Sequence, residues 1–242
     1  MSFRPWYRYF VNNRDHFTGI DEDDPDTLSE EEKILITSSI QQFQKGENSE
    51  GKHLYHASYE MKDVQYVEAM KLFIREEQTH AKVLGWFMDK HHISRINSHW
   101  VDAVFRRLRK GFGLQQTLSV LLIAEIIAKV YYKALQRATG SSVLQAICMQ
   151  ILKDEEMHIS FQCYTLNILN KRRNTMVQII YRLFTFFIMT GTIAVVWYGH
   201  RKVLKAGGIG FKAFCRSCMK ILRECDVLIN SYYLPEPVLL NQ

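Results

Sequence analysis

The segment Leu121-Leu122-Ile123-Ala124-Glu125-Ile126-Ile127-Ala128 sets one carboxylate in an otherwise apolar run, and its reading decides the fold. Between Lys110 and Lys129, Glu125 is the sole charged residue. A carboxylate is costly to bury unless it is paired or bound to metal, so a ligand is expected here, with a protonated core glutamate as the bland alternative. Thirty residues after Glu125 comes Glu155, in Lys153-Asp154-Glu155-Glu156-Met157-His158. The i, i+3 spacing of Glu155 and His158 puts carboxylate and imidazole on one helical face, ~5–6 Å apart at Cβ.

The same arrangement occurs earlier. Glu77-Gln78-Thr79-His80 is a second Glu-x-x-His, and Glu47 precedes Glu77 by 30 residues. One Glu-x-x-His alone is common on solvated helix faces. Here Glu47, Glu77 and His80 map onto Glu125, Glu155 and His158 by one shift of 78. Such a set, a glutamate from each of two helices and Glu-x-x-His from the other two, is how bundle cores hold a metal pair. Glu125 and Glu155 each lie 15 residues from Gly140, about 22 Å of helix, so both reach one height above a shared turn. Glu50 is one turn from Glu47 and competes for its place; the 30-residue match favours Glu47. Glu76 precedes His80 by four residues and Asp154 precedes His158 by four, so each acid is expected to steady its own histidine.

Around these segments the chain reads as all-α. Four prolines and twelve glycines in 242 residues leave little turn punctuation. Residues 1–28, aromatic and then acidic, read as an irregular arm. Ser29 with Glu32 forms a capping box, opening a first helix that meets no proline before about Lys62. Asp63 marks a turn, and a second helix covers about Val64 to His91. A connection spans His92 to Ser98, followed by a short helix over Trp100 to Lys110. The third helix runs from Gly111–Gly113 to Thr139 and the fourth from Val143 to Lys171, with one rod continuing to Lys202 as the alternative. A basic amphipathic helix closes the pattern over Gly210 to Ile229. Pair, crossover, pair describes a ferritin-like four-helix bundle with a C-terminal helical extension, divided as 1–28, 29–174 and 175–242.

The net charge of +6 is uneven, the acids gathering before residue 60 and the bases after residue 171. A solvated basic face is the ordinary meaning of such a tail, and no nucleic-acid partner is expected. Five cysteines without framework spacing favour a reducing compartment, and the N-terminal stretch lacks a signal-peptide core, so a cytoplasmic location is expected. No phosphate-binding loop, dinucleotide turn or nucleophile elbow is present.

Over about residues 29–170 the chain resembles the ferritin-like di-iron superfamily. Gly46-Glu47, Glu77-Gln78-Thr79-His80-Ala81, Glu125 with Tyr132 seven residues on, and the 153–158 segment look like those of rubrerythrins, demethoxyubiquinone hydroxylases and aldehyde-deformylating oxygenases. The resemblance implies two iron ions, with manganese as the substitute, bridged by Glu77 and Glu155 and closed by Glu47 and Glu125. It also implies reaction with dioxygen or peroxide, a small or apolar organic substrate, an external electron-donor protein and a homo-oligomer. Cys215-Arg216-Ser217-Cys218 is the one Cys-x-x-Cys, too little for the rubredoxin-like site of rubrerythrins, and reads as helix packing.

Two rivals stand beside this oxidoreductase reading: an iron-binding or detoxification protein without organic substrate, and a helical membrane-associated interaction protein. The second rests on Leu183 to Gly199, 17 residues without charge. That is short of the ~20 needed to span a bilayer. It is expected either to pack on the bundle or a second subunit, or to contact membrane.

Overall fold

Side-chain caps fix where the main helices begin. The Ser29 hydroxyl accepts from the Glu32 N–H, Asp63 from Tyr66, Ser141 from Leu144 and Asn174 from Val177, each satisfying an N–H that has no partner within its helix. The structure is a computed structural model that describes residues 2–20, 25–48, 51–98, 107 and 113–231. Its helices are α1 (Arg4–Asn12), α2 (Glu30–Glu47), α3 (Lys52–Ser58), α4 (Val64–Lys90), α5 (Leu114–Ala138), α6 (Ser142–Lys171), α7 (Thr175–Ala206) and α8 (Phe211–Asn230), with one 3-10 turn over Tyr59–Met61. No strand occurs among the described residues.

α2 pairs with α4 and α5 with α6, and α4 meets α6 across the bundle. α7 lies against α5 and α2, α8 against α6, α5 and α7, and α1 against α4. One buried cluster joins α1, α4, α5 and α6 to α7 and α8. A second gathers Ile36, Ile40, Leu84, Phe87, Tyr131, Tyr132 and Ile147 towards the Gly140 turn. Glu32 of α2 accepts from Thr139 and the Gly140 N–H, and Asp26 accepts from Ser141, so the first turn of α2 and the segment before it hold that turn.

Three expectations need correction. The first helix does not run unbroken to Lys62: α2 stops at Glu47, and Gly51 takes φ 64 before α3 begins. A Cβ on Gly51 would strike Ile74, so a left-handed glycine both breaks the helix and admits α4. The fourth helix and the apolar segment are not one rod. α6 ends at Lys171, the end expected for the fourth helix, and Asn174 starts α7 afresh. The arm is not irregular over its first half, because residues 4–12 form α1 with Pro5 in its first turn and Phe3, Trp6 and Phe10 buried. Residues 100–106 and 108–110 of the expected short helix, and Glu50, lie outside the described residues.

Candidate metal centre

The sequence scatters the six candidate ligands over more than 100 residues; the bundle brings them together. Glu47, Glu77, His80 and Glu155 form one group whose ligand atoms lie within 4.8 Å of one another. Glu77, Glu125, Glu155 and His158 form a second. The two groups share Glu77 and Glu155, the pair for which bridging roles were expected. Glu47 comes from the last residue of α2, Glu77 and His80 from the middle of α4, Glu125 from the middle of α5, and Glu155 and His158 from the middle of α6. All are buried except Glu77, whose side chain keeps 16% of its surface accessible although its Oε1 is buried.

The histidines fix which ring atom faces inward. His80 Nε2 lies 3.0 Å from Asp154 Oδ2, and His158 Nε2 lies 2.9 Å from Glu76 Oε2. With Nε2–H donating to a carboxylate, each ring turns its Nδ1 towards the cluster. The pairing corrects the expectation that each acid would steady the histidine four residues after it. α4 and α6 face each other, so each histidine instead reaches the acid of the opposite helix, and the two contacts tie the helices together.

The chain's beginning closes this layer. Asn13, just past α1, donates through Nδ2 to Glu76 Oε1 at 2.7 Å and to Asp154 Oδ1 at 3.0 Å. His16 lies 3.7 Å from Glu76 and 3.5 Å from Asp154, and Gln150 donates to Asp154 at 2.9 Å. Phe10 and Phe73 pack on the His158 ring, Phe17 on His80. None of these arm residues was legible as part of a site. The available signal was the spacing of Phe3, Trp6 and Phe10 around Pro5, which marks a helix with one apolar face. Gln162, two turns after Glu155, was also missed; it donates to Glu125 Oε1 at 2.8 Å. Tyr132 donates to Glu47 Oε1 at 2.7 Å.

Electrostatics separate the carboxylates. Burial, then the neighbouring Glu77, raises Glu47 to about 8. Burial and Glu125 push Glu77 and Glu155 up as well. Burial also opposes charge on Glu125, but polar contacts from Glu155, His158 and Gln162 outweigh it and bring Glu125 down to about 2. Glu125 and Glu155 thus divide one charge and one proton between them. Among the described residues, Glu155 Oε1 and Oε2, Glu77 Oε1, His80 Nδ1 and His158 Nδ1 are buried without a well-formed hydrogen bond, although His158 Nδ1 comes within 2.9 Å of Glu77 Oε1. Such orphans are uncommon in a finished core, and five of the eleven found among the described residues fall in the two overlapping groups.

No family model matches the chain, and no curated protein matches it. Among solved structures it is similar to a mutant of an R2-like ligand-binding oxidase with aerobically reconstituted Mn/Fe cofactor, at 15% identity and a TM-score of 0.65 over 93% of each chain. The fold is ferritin-like. At that identity the likeness carries the fold alone. The ligand geometry is this chain's own evidence.

Proposed function

We propose that the chain is a dimetal oxidoreductase of the ferritin-like fold. Two ions, iron with manganese as the substitute, would be held by Glu47, Glu77, His80, Glu125, Glu155 and His158. The observation that carries this reading is the coincidence of the orphaned buried ligand atoms with two groups sharing two carboxylates. A mixed nitrogen and oxygen donor set suits iron or manganese. The structural neighbour's cofactor is Mn/Fe, which supports the same choice.

Bound metal ions would supply the redox chemistry with dioxygen or peroxide. The protein supplies position, charge and dryness. Asp154 and Glu76 hold the two imidazoles with Nδ1 inward, Tyr132 holds Glu47, and Gln162 holds Glu125. Phe10, Phe17 and Phe73 exclude water from the histidines. Glu77 offers small molecules the accessible edge, and the surrounding apolar core suits a small or apolar organic substrate. Electrons would come from a separate donor protein.

Metal analysis after growth in iron- and manganese-supplemented medium should give about two ions per chain, the occupancy of such bundle sites. Mixing the anaerobic ferrous-loaded protein with dioxygen should change its visible absorption. A protein that takes up no metal sinks the reading, and one that binds iron yet ignores dioxygen reduces it to a structural metal site.

A further inference from the structure

α7 has two faces of opposite character. Met189, Thr192, Ile193, Val196, His200 and Val203 are buried against the bundle. His200 Nδ1 lies 2.8 Å from Ser39 Oγ, which also bonds Tyr131. The other face is apolar and open: Ile180, Leu183, Phe187 and Tyr198 are 57%, 53%, 67% and 75% exposed. At 100° per residue these positions, with Met176, Ile179, Thr190, Gly191 and Ala194 between and beside them, form one stripe along the helix. Soluble chains rarely leave a continuous apolar stripe of this length in water.

Charge selects what covers it. Lys171, Arg172 and Arg173 stand exposed at one end of the stripe, and Arg201, Lys202 and Lys205 at the other. From Lys171 to Arg223 there is no aspartate or glutamate, against eleven lysines and arginines. A second copy laid on this face, parallel or antiparallel, would set basic end against basic end. An anionic lipid surface attracts both ends and takes up the stripe between them. The helix is long and apolar enough to cross a membrane. Its opposite face, however, is committed to α5 and α2, and a crossing helix would have to abandon the Ser39–His200 contact and that packing.

We propose that the outer face of α7 is a membrane-docking surface: the helix lies in the plane of an anionic lipid interface, with Leu183 and Phe187 in the acyl boundary and the basic ends at the headgroups. The proposal stands apart from the metal reading, since docking needs no occupied centre.

Flotation of the full chain with vesicles tests it. The protein should float with phosphatidylcholine–phosphatidylglycerol vesicles, should not float with pure phosphatidylcholine, and should be released by high salt. Leu183→Glu with Phe187→Glu should weaken binding roughly tenfold or more, and so should Arg172→Glu with Arg173→Glu, by loss of apolar and of electrostatic attraction respectively. The second pair lies in the turn before the helix, so it decides the matter if the first pair disturbs folding; thermal melts of both should match the parent. Absence of vesicle binding, or binding indifferent to both pairs, overturns the proposal. Dimerisation that Phe187→Glu abolishes, without vesicle binding, assigns the face to a second copy. Resistance of the membrane-bound protein to alkaline carbonate extraction assigns α7 to a spanning role and overturns surface docking.

Discussion

The two halves of the candidate centre are matched in sequence and unlike in structure. Glu47, Glu77 and His80 repeat as Glu125, Glu155 and His158. Yet Glu47 ends α2, beside a helix break, and holds its proton up to about 8, whereas Glu125 sits inside α5 and is charged down to about 2. The causes are local. Glu47 has one hydroxyl donor, Tyr132, and a neighbouring carboxylate, while Glu125 has the Gln162 amide and lies near His158. A spacing repeat therefore fixes which residues meet and leaves open how each half handles charge. Both halves must release a proton to take a cation: the Glu47 carboxyl in one, and in the other His158, which despite its burial is held protonated well above its ordinary value by Glu125, Glu76 and Glu77.

The largest expected effect tests the shared members. Glu155→Ala should abolish binding of both ions, because both groups contain that carboxylate, whereas Glu47→Ala should retain about half the metal. Elemental analysis distinguishes these outcomes, and equal loss in both variants would erase the asymmetry.

Next comes the crossed hydrogen bonding. Glu76→Ala and Asp154→Ala should each lower metal affinity by about 10–100-fold, measured by competition with a chelator. In double-mutant cycles for stability of the metal-free protein, Glu76→Ala should couple with His158→Ala and add independently to His80→Ala. The reverse ranking would restore the pairing within each helix. Asn13→Leu should act more weakly, by a few-fold, and on both halves alike, since its one amide serves both acids.

A pH test concerns Glu47 by itself. Its folded value, about 8, exceeds its ordinary one near 4.5, so its contribution is complete below about 4.5 and is lost as pH rises through about 8. Melting of the metal-free protein should therefore fall between pH 5 and 8, and fall less in Glu47→Gln. Metal should reverse the trend, since the cation takes the proton's place. The smallest effect is expected from Glu156→Ala. Its side chain is 69% exposed beside Lys129, at 3.8 Å, and metal content should not change. A loss equal to that of Glu155→Ala would mean that α6 is rotated from its present register.

Sequence pointed to six side chains that come together and to the helical class, because both rest on local periodicity: an i, i+3 pair shares a face in any helix, and a lone carboxylate in an apolar run needs a partner wherever it is buried. It did not determine that Glu76 serves His158 and Asp154 serves His80, since spacing along one chain favours the acid four residues away. Only the closeness of α4 to α6 reverses that choice. Nor did local spacing show that residues 4–16 complete the centre, because α1 gains its meaning from aromatic burial against α4 and α6. The opposite faces of α7 were equally out of reach: an apolar helix carries no local mark of which side packs, and the placement of α5 and α2 alone decides which side meets the bundle and which is left to face outward.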